Sequence, residues 1–213
     1  MPVKKTKSMP DFTIEQKWMK KINGPVAGID EAGRGPWAGP VTAAAVILDL
    51  DNIPAGLNDS KKLSEVRREQ LFGEIMQTSI VGIGHASPDD IDQLNILRAT
   101  MWAMKQAHDN LATAPKAILI DGNQRPDIDT AMETIIKGDA KSLSIAAASI
   151  IAKVTRDRLM GELDQKYPGF GWASNKGYGT KEHQNGIAAH GVTPHHRKSF
   201  APIRRAIEAK TAG

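Results

Sequence analysis

An α/β domain built on a mixed sheet is the fold class this sequence predicts, on three observations. Short apolar runs bounded by glycine, proline or acidic residues recur along the chain. The first two are joined by a glycine-rich turn, which suits an antiparallel pair. Helical apolar spacing then appears between the later runs, so helices cover the sheet.

The elements follow in order. Residues 1–22 read as a polar, lysine-rich lead-in, expected to be loosely ordered. "PVAGID" (Pro25 to Asp30) and "VTAAAVIL" (Val41 to Leu48) are the first two strands, and "SIVGIGHAS" (Ser79 to Ser87) is the third. Between the second and third, Ser64 caps a helix containing "EVRREQLFGEIM", with Glu65 in its first turn. Ser87-Pro88-Asp89-Asp90 combines a cap, a proline at the first helical position and an acid at the third. It opens a long helix whose expected buried stripe is Leu94, Leu97, Met101, Met104 and Leu111. "KAILI" (Lys116 to Ile120) is a fourth strand ending in Asp121-Gly122, and "METIIKGD" a fifth ending near Asp139. "SIAAASIIAKVTRDRLMGEL" is a helix with a small-residue face, suited to close packing on a sheet. The glycine- and aromatic-rich remainder carries a helix from Lys181 to His190, closed by Gly191, and another near the end. One domain over residues 23–205 is expected, with 206–213 as a tail.

Composition excludes several function classes. With 40% hydrophobic and 24% charged residues over 213, the chain can bury a core. No apolar run approaches the ~20 residues that span a bilayer. The basic N-terminus lacks the apolar segment of a signal peptide, so a cytoplasmic protein is expected. Cysteine is absent, which removes disulfides, thiolate catalysis and cysteine metal sites. The net charge of +4 leans toward polyanions. Basic residues gather at Lys4, Lys5 and Lys7, at Lys61, Lys62, Arg67 and Arg68, and from Arg197 to Arg205, which points to a phosphate-facing surface.

Four acids carry the candidate chemistry. Asp30 with Glu31, Asp121 and Asp139 each follow an apolar strand-like run, where open α/β sheets place ligands. Carboxylates brought together there repel one another unless protons or cations intervene. Without cysteine, and with no histidine pair at ligand spacing, the matching cation is hard, Mg²⁺ or Mn²⁺. Such acids can hold two ions ~3.5–4 Å apart, one activating water and one stabilising the leaving oxygen of a phosphodiester. Taken singly, Asp121 and Asp139 have a second reading as turn former or helix cap. Ser142 to Ser149 offer no nucleophile, because no histidine–acid partner accompanies them.

"GIDEAGRGPWAGPV" (Gly28 to Val41), "DSKKLS" (Asp59 to Ser64), "DGN" (Asp121 to Asn123), "KGDAKSLSIAAASIIAKVTRDR" (Lys137 to Arg158), "GYGTKEH" (Gly177 to His183) and "HRKSFAPIRR" (His196 to Arg205) together closely resemble bacterial-type ribonuclease HII. The resemblance runs from about Val26 to about Arg205 in the right order. It implies a ribonuclease H-like fold, a five-stranded mixed sheet flanked by helices with a helical C-terminal segment. It implies an endonuclease cutting the RNA strand of RNA/DNA hybrids and nicking 5′ of single ribonucleotides in duplex DNA, leaving 3′-hydroxyl and 5′-phosphate. Carried over by position, Asp30, Glu31, Asp121 and Asp139 are its metal-binding acids. Gly33, Arg34 and Gly35 would read the 2′-hydroxyl largely through main-chain groups, where glycine lets the backbone approach a sugar closely. Tyr178 would stack on the deoxyribose after the ribonucleotide. Lys61, Lys62 and Lys181 are candidate phosphate contacts, as are Arg197 and Lys198. His195 stands where the family pattern is usually apolar.

Three rivals have discriminators. Ribonuclease HIII usually departs from the Gly33-Arg34-Gly35 pattern and carries an added N-terminal domain, whereas about two dozen residues precede the first strand here. A non-catalytic nucleic-acid binder would leave the strand-end acids unexplained, and it would hold hybrid equally without divalent ions. A small-molecule phosphatase would explain the acids but neither the basic surface nor Tyr178. The segment "AIEAKTAG" shows no hydrophobic–aromatic docking peptide, so no protein partner is indicated and a monomer is expected.

Overall fold

The computed structural model describes residues 9–211, so the cluster at Lys4, Lys5 and Lys7 lies outside the described residues. Strands β1 (Val26–Ala32), β2 (Val41–Ile47), β3 (Ile80–Ala86), β4 (Ala117–Asp121) and β5 (Ala131–Ile135) form one sheet of order β3-β2-β1-β4-β5. The pairs β1–β2 and β2–β3 are antiparallel, whereas β1–β4 and β4–β5 are parallel, which makes the sheet mixed as expected.

Helices cover both faces. Helix α3 (Pro88–Asp109) packs on one, where Ala27, Ile29, Ala43, Ala45, Ile118 and Ile120 point. Gly82 and Gly84 of β3 let this helix settle onto the sheet. A Cβ at either position would lie 2.1 Å from the Ala107 carbonyl or 2.2 Å from that of Ala103. The other face carries α2 (Glu65–Thr78) and α4 (Leu143–Lys166) over Ala44 and Val46, and α1 (Thr13–Ile22) beside Val26, Ala117 and Leu119. Beyond the sheet, α5 (Trp172–Asn175), α6 (Lys181–His190) and α7 (Ala201–Thr211) follow α4, and Ala38, Met160, Phe170 and Trp172 form a separate small core there.

Helix starts match the local signals. Ser64 accepts from the Arg67 N–H at the head of α2. Ser87 and Asp90 form a reciprocal capping box at the head of α3. Helix α6 spans the predicted residues and ends at Gly191.

Four expectations need correction. The lead-in is not loosely ordered over its second half, because Ile14, Trp18, Met19 and Ile22 recur at helical spacing and α1 docks on the sheet through them. In α3, Leu94 and Leu97 are exposed, and the buried face is Ile91, Ala99, Ala103, Met104 and Ala107. Asn95 breaks the helix there with φ 66° and ψ 163°, so the turns on either side do not share one continuous stripe. Strand β5 ends at Ile135, and Asp139 belongs instead to a short 3-10 turn, Gly138–Ala140. Helix α7 runs through the boundary placed at residue 206.

Glu15 ties α1 to the start of α4. It is fully buried, and its Oε1 accepts from the Ser142 hydroxyl (2.6 Å), the Ser144 N–H (2.9 Å) and the Ser144 hydroxyl (2.8 Å). A carboxylate at a helix N-terminus also complements the helix dipole. Glu15→Ala is expected to lower stability by about 2 kcal/mol in urea titration, because buried donors lose their acceptor. A change within ~0.5 kcal/mol would mean that α1 is held by its apolar face alone.

Candidate active site

The strand pleat decides where the first two aspartates go. On β1, Val26 belongs to the α1/α4-side core, whereas Ala27 and Ile29 pack with α3. Alternation therefore puts Asp30 on the α4 side. On β4, Leu119 faces α4 and Ile120 faces α3, so Asp121 falls on the same side. The parallel register pairs Ile29 with Ile120, which makes Asp30 and Asp121 neighbours on adjacent strands. Asp139 comes from the turn just ahead of α4.

These elements enclose a cavity of about 220 Å³ lined by Asp30, Glu31, Asp121 and Asp139 together with Gly33, Arg34, Gly35, Lys61, Lys153 and Tyr178. Lys62 and Lys181 are not on its wall. Lys62 pairs with Asp59 at 3.4 Å, and Lys181 opens α6 as an exposed residue. Arg197 cannot contact a phosphate directly, because it is wholly buried; Lys198 beside it is exposed.

The electrostatics are those of buried carboxylates that repel one another. Burial, then the charges of Glu31 and Asp121, hold the Asp30 carboxyl well above the usual range. Glu31 is raised by burial, with Arg34 opposing from 3.4 Å. Asp139 is pushed up to about 6 by burial, then by Asp59 and Asp121. Asp59, on which Lys61 and Lys62 turn, is thus an additional carboxylate against Asp139. It was legible only as the first letter of "DSKKLS". Lys153 was missed as well; it is half-buried and bridges to Asp157 at 2.6 Å.

The donor chemistry fits a hard cation, being carboxylate oxygen without sulfur or imidazole. Asp30 spends one oxygen on the Glu31 N–H (2.7 Å) and Asp121 one on the Gly138 N–H (2.6 Å), which anchors each side chain and leaves its second oxygen. Among the described residues, no three acidic or histidine side chains are already closed around one point.

Beside the acids, residues 33–40 meet two distant segments. The Trp37 N–H donates to the Gly177 carbonyl (2.8 Å), and the Arg197 N–H to the Trp37 carbonyl (2.9 Å). The Tyr178 ring is half exposed and lies over Gly35, where a Cβ would come within 3.2 Å of it. A histidine pair holds the tyrosine segment from below. Trp172 Nε1 donates to His183 Nε2 (3.1 Å), so the His183 proton sits on Nδ1 and faces the Tyr178 carbonyl at 3.0 Å. His196 Nε2 donates to the same His183 nitrogen (3.0 Å), while its Nδ1 accepts from the Thr193 N–H (3.0 Å). Burial, then the neighbouring His183, pushes His196 down to about 4. His195 is accommodated among aromatics, its ring 4.9 Å from that of Tyr167 in an edge contact.

A mixed sheet of order 3-2-1-4-5, with carboxylates gathered near the ends of its two central strands, defines a nuclease of the ribonuclease H-like class. Comparison with known proteins narrows this. The family model described as Ribonuclease HII matches residues 27–203, and the chain belongs to the ribonuclease HII family. A ribonuclease HII of Magnetococcus marinus is 58% identical over 203 residues, covering 93% of this chain and 95% of the relative. The crystal structure of ribonuclease H2 from Pyrococcus horikoshii superposes with a TM-score of 0.74 at 28% identity, covering 89% of this chain and 100% of that one. Bst-RNase HIII, solved in complex with Mn²⁺, superposes at 0.67 with 22% identity over 89% of this chain and 71% of its own, a likeness of fold. The chain is accordingly an endoribonuclease acting on RNA/DNA hybrids, of a metal-dependent family.

Proposed function

We propose that this cavity hydrolyses the phosphodiester 5′ of a ribonucleotide, in hybrids and at single ribonucleotides in duplex DNA, leaving 3′-hydroxyl and 5′-phosphate. Asp30, Glu31, Asp121 and Asp139 are the ligand set for two divalent cations, Mg²⁺ or Mn²⁺. The observation that carries this is the sharing of one cavity wall by these acids, Gly33-Arg34-Gly35 and Tyr178. Bound cations supply Lewis acidity for attack at phosphorus and offset charge on the departing oxygen.

The chain's own groups do the rest. Asp30 and Asp121 are held by main-chain N–H groups, so their free oxygens need no reorganisation to receive charge. Glu31 is drawn toward Arg34, which leaves a guanidinium at the rim for a phosphate oxygen. Lys61 faces the cavity, and Lys62 and Lys181, off its wall, are assigned to flanking phosphates. The glycine loop admits the sugar edge. The Tyr178 ring offers a flat face to the next sugar and would clash with a 2′-hydroxyl there.

Duplex DNA carrying one labelled ribonucleotide, incubated with and without Mg²⁺, tests the reading. A single nick 5′ of the ribose, only with the ion, is expected on product mapping. A cut elsewhere, or one that survives chelation, would refute it.

A further inference from the structure

Two fully buried arginines lie beneath the glycine loop, and neither forms a salt bridge among the described residues. Each engages all three guanidinium nitrogens with main-chain carbonyls. Arg197 donates through Nε to Gly39 (2.9 Å), through Nη1 to Arg34 (2.9 Å) and through Nη2 to Gly33 (2.5 Å). Arg156 donates through Nε to Pro40 (2.8 Å), through Nη2 to Ala38 (3.1 Å) and through Nη1 to Lys176 (3.0 Å). Its stem lies directly under Gly33, where a Cβ would fall 1.9 Å from Nε.

The peptide plane turns these contacts into a statement about the cavity. In a planar trans peptide the N–H points opposite to the C=O. The carbonyls of Gly33 and Arg34 point inward to Arg197, so the N–H groups of Arg34 and Gly35 point outward, on the side that lines the cavity. Neither N–H has a hydrogen-bond partner among the described residues. A cation on the carbonyl side of each peptide also polarises its N–H toward an acceptor.

We infer that Arg197, seconded by Arg156, is a positioning residue for ribose discrimination, its buried guanidinium setting the orientation of two consecutive peptides so that their N–H groups meet a hydroxyl or phosphate oxygen of the ribonucleotide. Arg156 spans from this loop to Lys176, and so also sets the tyrosine segment at a constant distance from the donors. The inference rests on the proposed reading of the cavity and deepens it. A lysine at 197 would keep the charge but could not hold three carbonyls in a planar fork.

The test measures kcat and KM on a duplex with one ribonucleotide, and Ki for the matching all-DNA duplex as competitor. It uses the full-length protein, Arg197→Lys and Arg197→Gln. Loss of folded enzyme lowers apparent kcat but leaves KM and Ki unchanged, so their ratio reports recognition alone. Arg197→Lys is expected to raise KM/Ki at least ~10-fold, with Ki within ~2-fold of the parent. Should Arg197→Gln fail to fold, the lysine variant decides the matter by itself. A KM/Ki within ~2-fold of the parent's in any folded variant would overturn the inference. A parent protein that does not prefer the ribonucleotide duplex would instead refute the reading beneath it.

Discussion

Asp121→Asn is expected to reduce cleavage at least ~10³-fold while leaving the fold and hybrid binding in place. The substitution is clean because the Asp121 oxygen that accepts the Gly138 N–H at 2.6 Å is replaced by an amide oxygen that can accept the same N–H, though more weakly. What is lost is the charge. Removing it relieves Asp30, Glu31 and Asp139, all of which Asp121 pushes up, so stability without divalent ions should not fall. A second readout separates charge from folding. Divalent ions that bind only the native state stabilise it by about 2.7 kcal/mol at 100 times their Kd. That increment should appear in thermal denaturation of the parent protein and shrink sharply in Asp121→Asn. Retained turnover in Mg²⁺, or an undiminished ion-dependent stabilisation, would remove Asp121 from the ligand set.

The second large effect is a pH dependence that originates away from the acids. His196 is held down to about 4 in the folded protein, by burial and then by His183, against an ordinary value of 6.5. The unfolded chain therefore binds the extra proton first. The contribution is complete above about pH 6.5 and is lost progressively as pH falls toward about 4. At pH 5 the loss from this residue is about 2 kcal/mol. The acid cluster works in the opposite sense, because Asp139 at about 6 and the raised Asp30 and Glu31 take up protons more readily folded than unfolded. The overall profile is flattened, so the histidine contribution is read as a difference. In urea titrations from pH 7.5 to 5, the deficit of His196→Gln relative to the parent should shrink by about 2 kcal/mol. A deficit independent of pH would show that His196 does not titrate on unfolding in this range.

What could be read from the chain was whatever depends on near neighbours. The caps at Ser64 and Ser87, the helix from Lys181 to Gly191 and the strand-end acids Asp30, Glu31 and Asp121 are local patterns, and the structure realises them within a residue or two, whereas Asp139 lies four residues past its strand. The Leu94–Leu97 stripe failed because periodicity assumes an unbroken helix, and nothing in the spacing reveals the turn at Asn95. Helix α1 was hidden by its lysines, which crowd the exposed side of an otherwise regular apolar stripe. The buried arginines are the deepest miss. Arginine reads as surface charge, and the partners that bury Arg197 lie about 160 residues away. The His183–His196 pair is concealed although its members are only 13 residues apart, because its meaning depends on Tyr178 and Trp172 lying above and beside it.

The placement of Asp30 and Asp121 on adjoining parallel strands has a further implication. Neighbouring strands are spaced at about 4.8 Å by their own hydrogen bonds, whatever side chains fill the interior. The separation of the two acid carriers is thus a backbone ruler rather than a product of packing. Exchanging core residues while keeping the strand pairing would therefore leave that interval unaltered.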